Sequence, residues 1–393
     1  PPKEPKDPLS HHDGSAPAGT SATPAKAPPG KPPVQAKVLS NSDFKPAVPA
    51  SGVAAAAASV SSAPPPPALD PAAAAKKASW ECRKGQVQAA KAAAAAAPTG
   101  PARDELSEAA DRFARDNAAL EKAALADNVY HPDQPPPPGW RRAVHPSAPE
   151  GDSPLDRLGL QPDDLHKPGS DFRAEVYEPD PAVFGSDMGT TIAFKGTDPK
   201  SKEDIYQDLK QAVDMKSSYY EGASTIARKV AASGEPVEFT GHSLGGGLAS
   251  AASRQSGLPA TTFNAAGLSD TYGGAKAAPV PEVVQAYRVD GEILTGIQEN
   301  KVTTVLGTLG VGGLVSAAAT LLSPILGGAA AATTGGLAAI AAKAPKAVGT
   351  PHTVPGTGNA LDRHGIDQCT AGLKAQLAQD QQTLEDATGV HCP

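Results

Sequence analysis

Apolar positions recur along this chain with two different periods, and the switches between them outline its organisation. Phe172-Arg173-Ala174-Glu175-Val176-Tyr177 alternates with a period of two and reads as a strand, and Thr190–Lys195 is a second, more apolar strand. Ile205, Leu209 and Val213 then recur every fourth residue, as do Ala223, Ile226, Ala227 and Val230 on the next segment, so both read as helices. Val237–Thr240 is a short strand and Ser243–Ser256 a helix of small residues; Ala260–Asn264 and Val283–Val289 are two further strands. Strands alternating with helices in this way predict an α/β fold with a mostly parallel central sheet covered on both faces. Ligands bind such sheets at the carboxyl ends of the strands.

Upstream the pattern weakens. Pro101 to about Asp127 is helical, with apolar positions at Leu106, Ala110, Phe113, Ala124 and Leu125, and it stops at His131-Pro132 and the Pro135–Pro138 run. Residues 1–100 are rich in Pro, Ala and Lys, and the one periodic stretch there is an Ala-rich helix around Trp80–Ala97. Such a segment has few bulky apolar groups to offset its ordering entropy, so it is expected to be a disordered arm or tether. The boundaries expected are a disordered arm over 1–100, the α/β domain over 101–380 and a tail over 381–393.

Composition adds limits. The 393 residues carry a formal net charge of −7, which leaves no electrostatic footprint for nucleic acid. Within residues 1–100, ten Lys and one Arg face six acids, so the arm is mildly basic on an acidic body. Of the three cysteines, Cys82 lies in the arm and Cys369 and Cys392 near the C-terminus are close enough in sequence to pair, too few to imply a disulfide framework or fix the redox compartment. The chain opens on Pro1 without an apolar signal region, so either its start is missing or export uses no cleaved signal.

The chemistry is concentrated at Gly241-His242-Ser243-Leu244-Gly245-Gly246. This Gly-x-Ser-x-Gly pattern follows a strand directly and precedes a helix directly, the setting of a nucleophile elbow. Ser243 is the expected nucleophile, and the Leu244 N–H at the helix start is an oxyanion donor, reinforced by the helix dipole. Ile192-Ala193-Phe194-Lys195-Gly196-Thr197 ends a second strand at the same edge, where Thr197 offers a second donor or caps the next helix. An acid and a histidine must follow the serine in chain order. Asp290, just past the Val283–Val289 strand, is the expected acid, with Glu292 and Asp270 as rivals. His364 ahead of an amphipathic helix (Ile366, Cys369, Leu373, Leu377) is the expected base, with His352 in a loose Gly/Pro loop as its competitor. His242 reads as a packing residue and His391 as terminal decoration. No metal-ligand spacing is present and the chemistry needs no metal or cofactor.

Phe194-Lys195-Gly196-Thr197, a helix carrying Asp208-Leu209, and Gly241-His242-Ser243-Leu244-Gly245-Gly246 together resemble the class 3 lipase family. Asn128-Val129-Tyr130-His131, Pro138-Gly139-Trp140, Phe172–Tyr177, Thr262–Leu268 and Arg363-His364-Gly365 extend the likeness to bacterial lipase-type effectors, including antibacterial phospholipases of type VI-like contact-dependent secretion. The resemblance covers about residues 105–380, and Lys195 stands where the family has Arg. It implies an α/β-hydrolase that cleaves lipid acyl esters, Asp290 in the acid position, His364 in the Arg-His-Gly element and His242 turned away from the nucleophile. It also implies secretion or delivery into a target cell envelope, with an immunity protein and secretion-system components as partners.

Residues 302–342 hold no charged residue or histidine. Val302–Ser323 is long enough to span ~30 Å as a helix, before Pro324 and Gly327-Gly328 break it. Placed between the acid and the histidine, this apolar helical insert reads either as a buried hairpin or as a membrane-docking lid on a membrane-peripheral enzyme; a transmembrane anchor is a third reading. Two other classes stay open: a non-lipid esterase or thioesterase, and an inactive hydrolase scaffold that binds lipid or a partner.

Overall fold

The computed structural model describes residues 68–143, 153–167, 169–196, 216–268, 283–299 and 345–392. Thr197, the helix expected at 205–213, Asp270 and the 302–342 insert lie outside these residues, as does the arm before residue 68.

Seven strands form one mixed sheet in sequential order. These are β1 (Trp140–Arg142), β2 (Ala174–Pro179), β3 (Thr190–Phe194), β4 (Val237–His242), β5 (Ala260–Phe263), β6 (Val284–Val289) and β7 (Thr350–Val354). β1, β2 and β3 pair antiparallel, and every pairing from β3 to β7 is parallel. The expected α/β-hydrolase-like fold is therefore present. Its register aligns the strand ends: Phe194 pairs with Gly241, His242 with Phe263 and Val289 with Val354. Whatever follows β3, β4, β6 and β7 is thus delivered to one rim.

Long helices cover both faces. α1 (Pro71–Ala96) and α2 (Pro101–Asn128) each begin with proline, whose fixed φ suits the first helical turn. Four short helical segments are α3 (Pro154–Arg157), α4 (Pro162–Leu165), α5 (Pro181–Phe184) and, after β6, α8 (Ile293–Gln298). The remaining long elements are α6 (Lys216–Ser233), α7 (Leu244–Ser256) and α9 (Ile366–Thr388). On one face, Tyr220, Ala223, Ile226 and Val230 of α6 and Leu248 and Ala252 of α7 pack on Ile192, Phe194 and Phe239. On the other, Ala119, Ala123 and Ala126 of α2 and Cys369 and Leu373 of α9 pack on Phe263, Tyr287 and Val289. Burying each large apolar side chain stabilises the fold by about 1.5–3 kcal/mol, so these two layers hold the strand ends in place.

Two boundary expectations and one on the cysteines are corrected. α1 lies within the segment expected as a disordered arm, yet Trp80 is buried, meets Phe184 edge-on and donates its indole N–H to Asp187 at 3.1 Å. The Ala-rich composition hid an amphipathic face built from Ala73, Trp80, Ala90 and Ala94. The segment after 380 is likewise no separate tail, because α9 continues to Thr388 and Leu384 packs against Phe113 and Ala90. Finally, Cys392 is disulfide-bonded to Cys82, with a Cα separation of 5.7 Å, and Cys369 is free and buried. Cys369 sits in the first turn of α9 and Cys392 beyond its far end; 23 helical residues span ~35 Å, well beyond the ~7 Å a disulfide tolerates. The bridge instead joins the two terminal helices that flank α2.

Candidate active site

β4 ends at His242 and α7 begins at Leu244, leaving one residue to reverse the chain. That residue is Ser243, whose φ of 56° and ψ of −123° are outside the regions an L-residue ordinarily adopts. Such a conformation costs about 1–3 kcal/mol and persists only where its surroundings enforce it. Here the enforcement is visible: the Ser243 N–H donates to the Phe263 carbonyl at 3.0 Å, and its own carbonyl accepts from Ala266 at 2.9 Å and Gly247 at 3.1 Å. The flanking glycines are steric necessities. A Cβ on Gly241 would overlap the Gly245 carbonyl group, and one on Gly245 would overlap the Phe194 carbonyl oxygen. The bend raises the hydroxyl to the rim and sets the Leu244 N–H, which has no partner within its helix, beside it.

His364 completes the first contact. It closes a short 3-10 turn, Asp362–His364, and its Nε2 lies 2.9 Å from Ser243 Oγ. Its Nδ1 lies 2.9 Å from Glu292 Oε2. A carboxylate accepts, so Nδ1 carries the proton and Nε2 presents its lone pair to the serine hydroxyl. Ser243, His364 and Glu292 are all buried.

Glu292, one of the two rivals to Asp290 in the sequence, is the acid in contact with His364. Asp290, expected in that position, is exposed on the turn after β6, where its backbone carbonyl accepts from Arg363 Nη1 at 2.8 Å. The chain reverses at Gly291, with φ 71°, and the next residue points back beneath His364. The Glu292 carboxylate also caps α8, accepting from Leu294 N–H at 2.9 Å and from Thr295 N–H. Burial alone would raise its carboxyl, but hydrogen bonding and charge from His364, together with the Thr295 bonds, outweigh burial and hold it below the ordinary carboxylate value.

Two residues missed as site residues hold His364 from behind. The His364 carbonyl accepts from Asn264 Nδ2 at 2.9 Å and from His242 Nε2 at 2.7 Å. Asn264, at a φ of 41°, also accepts from Val289 N–H at 2.9 Å, so one side chain ties the ends of β5 and β6 to the histidine turn. Its place in Phe263-Asn264-Ala265-Ala266, one residue past a strand at the rim, was the available signal. His352 is not in a loose loop: it lies in β7, 2.6 Å from Gln285 Oε1, with its ring tilted against Tyr287 at 4.9 Å. Burial and the nearby Arg115 press its pKa down to about 4. His391 is exposed and pairs with Glu385 at 3.0 Å. Lys195 lies 6.0 Å over the Tyr130 ring. Among the described residues, no group of three or more His, Cys, Asp or Glu is placed to hold a metal ion, and no helix is long and apolar enough to cross a membrane.

A serine on a strained elbow, a histidine with its tautomer set by a carboxylate, and a mostly parallel sheet presenting both define the serine-hydrolase class of α/β-hydrolase folds. Comparison with known proteins agrees with this geometry. A family model for phospholipase-like proteins, described as a Tle-like phospholipase domain, matches residues 121–359, more than half of the chain, and the chain belongs to that family. The match contains Ser243 and Glu292 and ends just before His364. The chain is also 36% identical over 187 residues to the extracellular phospholipase A1 of Serratia liquefaciens, covering 47% of this chain and 51% of that protein. It therefore spans about half the length of the curated relative it matches.

Proposed function

We propose that this chain is a serine carboxylic-ester hydrolase of phospholipase A type, cleaving lipid acyl esters through a Ser243 acyl-enzyme. The observation that carries this reading is the run of two 2.9 Å contacts from Ser243 through His364 to Glu292. His364 takes the Ser243 proton as Oγ bonds to the acyl carbon. The tetrahedral oxyanion is held by the Leu244 N–H, with Thr197 N–H as the expected second donor one residue beyond Gly196. His364 then passes its proton to the leaving alcohol oxygen as the C–O bond breaks, and the same residue later deprotonates the water that releases the fatty acid. Glu292 holds the imidazole in the productive tautomer and stabilises its cationic form. Losing one oxyanion donor costs ~100–1,000-fold in turnover.

Family membership and the phospholipase A1 relative favour lipid over other esters. The test is mass spectrometry of products released from phospholipid vesicles: wild type yields lysophospholipid and fatty acid, and Ser243→Ala yields neither. Persistence of both products in Ser243→Ala sinks the assignment. The docking role proposed for 302–342 rests on sequence alone and has its own test. Deleting Gly307–Ala339 is expected to spare soluble short-chain esters and cut activity on vesicles, and equal loss on both contradicts it.

The Cys82–Cys392 disulfide favours action outside the reducing cytosol, where such bonds persist. We read the chain as a secreted, membrane-peripheral antibacterial effector whose producer is protected by an immunity protein, with secretion-system components as further partners. Targeting the chain to a bacterial periplasm is then expected to arrest growth in a Ser243-dependent manner, and harmless expression of the active enzyme there contradicts the effector role.

A further inference from the structure

α2 closes on Asn128-Val129-Tyr130, and each of the three residues is fixed by a different contact. Asn128 Oδ1 accepts from Arg142 Nη2 at 2.7 Å and from the Tyr177 hydroxyl at 2.9 Å, binding the helix end to β1 and β2. Val129 is fully buried. Tyr130, half-buried, then reaches across to the catalytic rim, where its hydroxyl accepts from the Gly196 N–H at 3.0 Å and lies 3.3 Å from His242 Nδ1.

The directions of these bonds follow from the chemistry of their ends. The His364 carbonyl can only accept, so His242 Nε2 must donate to it. His242 is buried next to His364, and desolvation with that neighbouring ring presses its pKa down to about 3, so it is neutral. Its Nδ1 is then a lone pair, and the partner hydroxyl of Tyr130 must donate. That hydroxyl still has a lone pair for the Gly196 N–H. The result is a one-way chain: Gly196 N–H to Tyr130 oxygen, Tyr130 O–H to His242 Nδ1, His242 Nε2–H to His364 carbonyl. Space confirms that Gly196 itself is held close, since a Cβ there would overlap both the Tyr130 hydroxyl and the His242 carbonyl oxygen.

We propose that Tyr130 and His242 are positioning residues for the ester hydrolysis, coupling the loop that leaves β3 at Gly196 to the backbone of the catalytic histidine. Each acts by holding the two sides of the site, the Gly196 end of β3 and the base, at a fixed mutual distance. The inference rests on the Ser243–His364 assignment proposed above.

The test is a double-mutant cycle of Tyr130→Phe and His242→Gln on a soluble p-nitrophenyl ester, with kcat expressed per site titrated by a fluorophosphonate. Titration counts folded, reactive enzyme, so a variant that folds poorly does not pass for a slow one. Phe keeps the ring and loses the hydroxyl. Gln keeps an N–H for the His364 carbonyl and removes the ring acceptor at the Nδ1 position that meets Tyr130. Each single variant is expected to lower kcat about 10-fold, less than the ~100-fold of a directly lost oxyanion donor, with KM little changed. The double variant is expected to lose no more than His242→Gln alone, because the two share one chain. Unchanged kcat in Tyr130→Phe, or losses that multiply in the double variant, overturns the proposal. Ser243→Ala in the same assay separates the two levels: if it retains turnover, the hydrolase reading itself fails, whatever the cycle shows.

Discussion

The serine side and the acid side of this site lie at the ends of parallel strands of the same sheet, yet they are built by different kinds of constraint. At Gly241–Gly247 the constraint is local. The bend, the absence of a Cβ and the start of α7 are contiguous in sequence, so the motif marks the serine even though the Phe194 carbonyl against Gly245 comes from β3. At Asp290–Thr295 no residue pattern distinguishes the carboxylate that meets His364 from its neighbour two positions earlier. Glu292 is chosen by a turn at Gly291, by the opening N–H groups of α8 and by a histidine 72 positions away. A contiguous motif sets the serine elbow; the partner of His364 is settled only when the 3-10 turn at Asp362–His364 meets the end of β6.

That contrast can be broken first on the serine side. Gly245→Ala places a methyl against backbone, which cannot yield as a flexible side chain would. Misplacing the nucleophile by ~1 Å is enough to lower turnover ~100-fold, and the overpacking destabilises by about 1–3 kcal/mol. Wild-type kcat with unchanged thermal stability in this variant contradicts the steric account of the elbow.

The acid side offers a smaller, pH-dependent effect. Glu292 has a folded-state pKa below its ordinary value, which is about 4.3 in an unfolded chain. Its contribution to stability is complete above that unfolded value and is lost as pH falls through the lower folded one. Thermal melts in acid are therefore expected to decline more steeply for wild type than for Glu292→Gln, and parallel declines contradict the depressed value. The smallest effect belongs to Asp290→Asn. As an exposed turn residue it is expected to change stability by no more than ~0.5 kcal/mol and to leave ester turnover near that of wild type.

The same contrast explains what the sequence made legible. Strands β2 to β6, helices α2, α6 and α7, and the pairing of Ser243 with a downstream histidine were all readable from period, spacing and chain order. β7 was not, because Pro351 and the neighbouring glycines disguise an edge strand; its pairing to β6 is settled by tertiary contact. α1 was misjudged because alanines carry little hydrophobic signal, although Ala90 is completely buried once α2 and α9 lie against it. Asp290 was preferred over Glu292 because it stands nearer the strand end. Sequence distance does not reveal that the positive φ of Gly291 sends Asp290 outward and turns Glu292 in. Tyr130 and His242 were visible as motif letters, while their hydrogen bonds to Gly196 and His364 depend on three separate elements meeting.

The most direct test of the account is a side-by-side measurement of kcat/KM for Glu292→Gln and Asp290→Asn on one soluble ester. Removing the carboxylate that sets the histidine tautomer is predicted to lower kcat/KM by about 1,000-fold or more in Glu292→Gln, with Asp290→Asn close to wild type. A near-normal Glu292→Gln beside a crippled Asp290→Asn would contradict it.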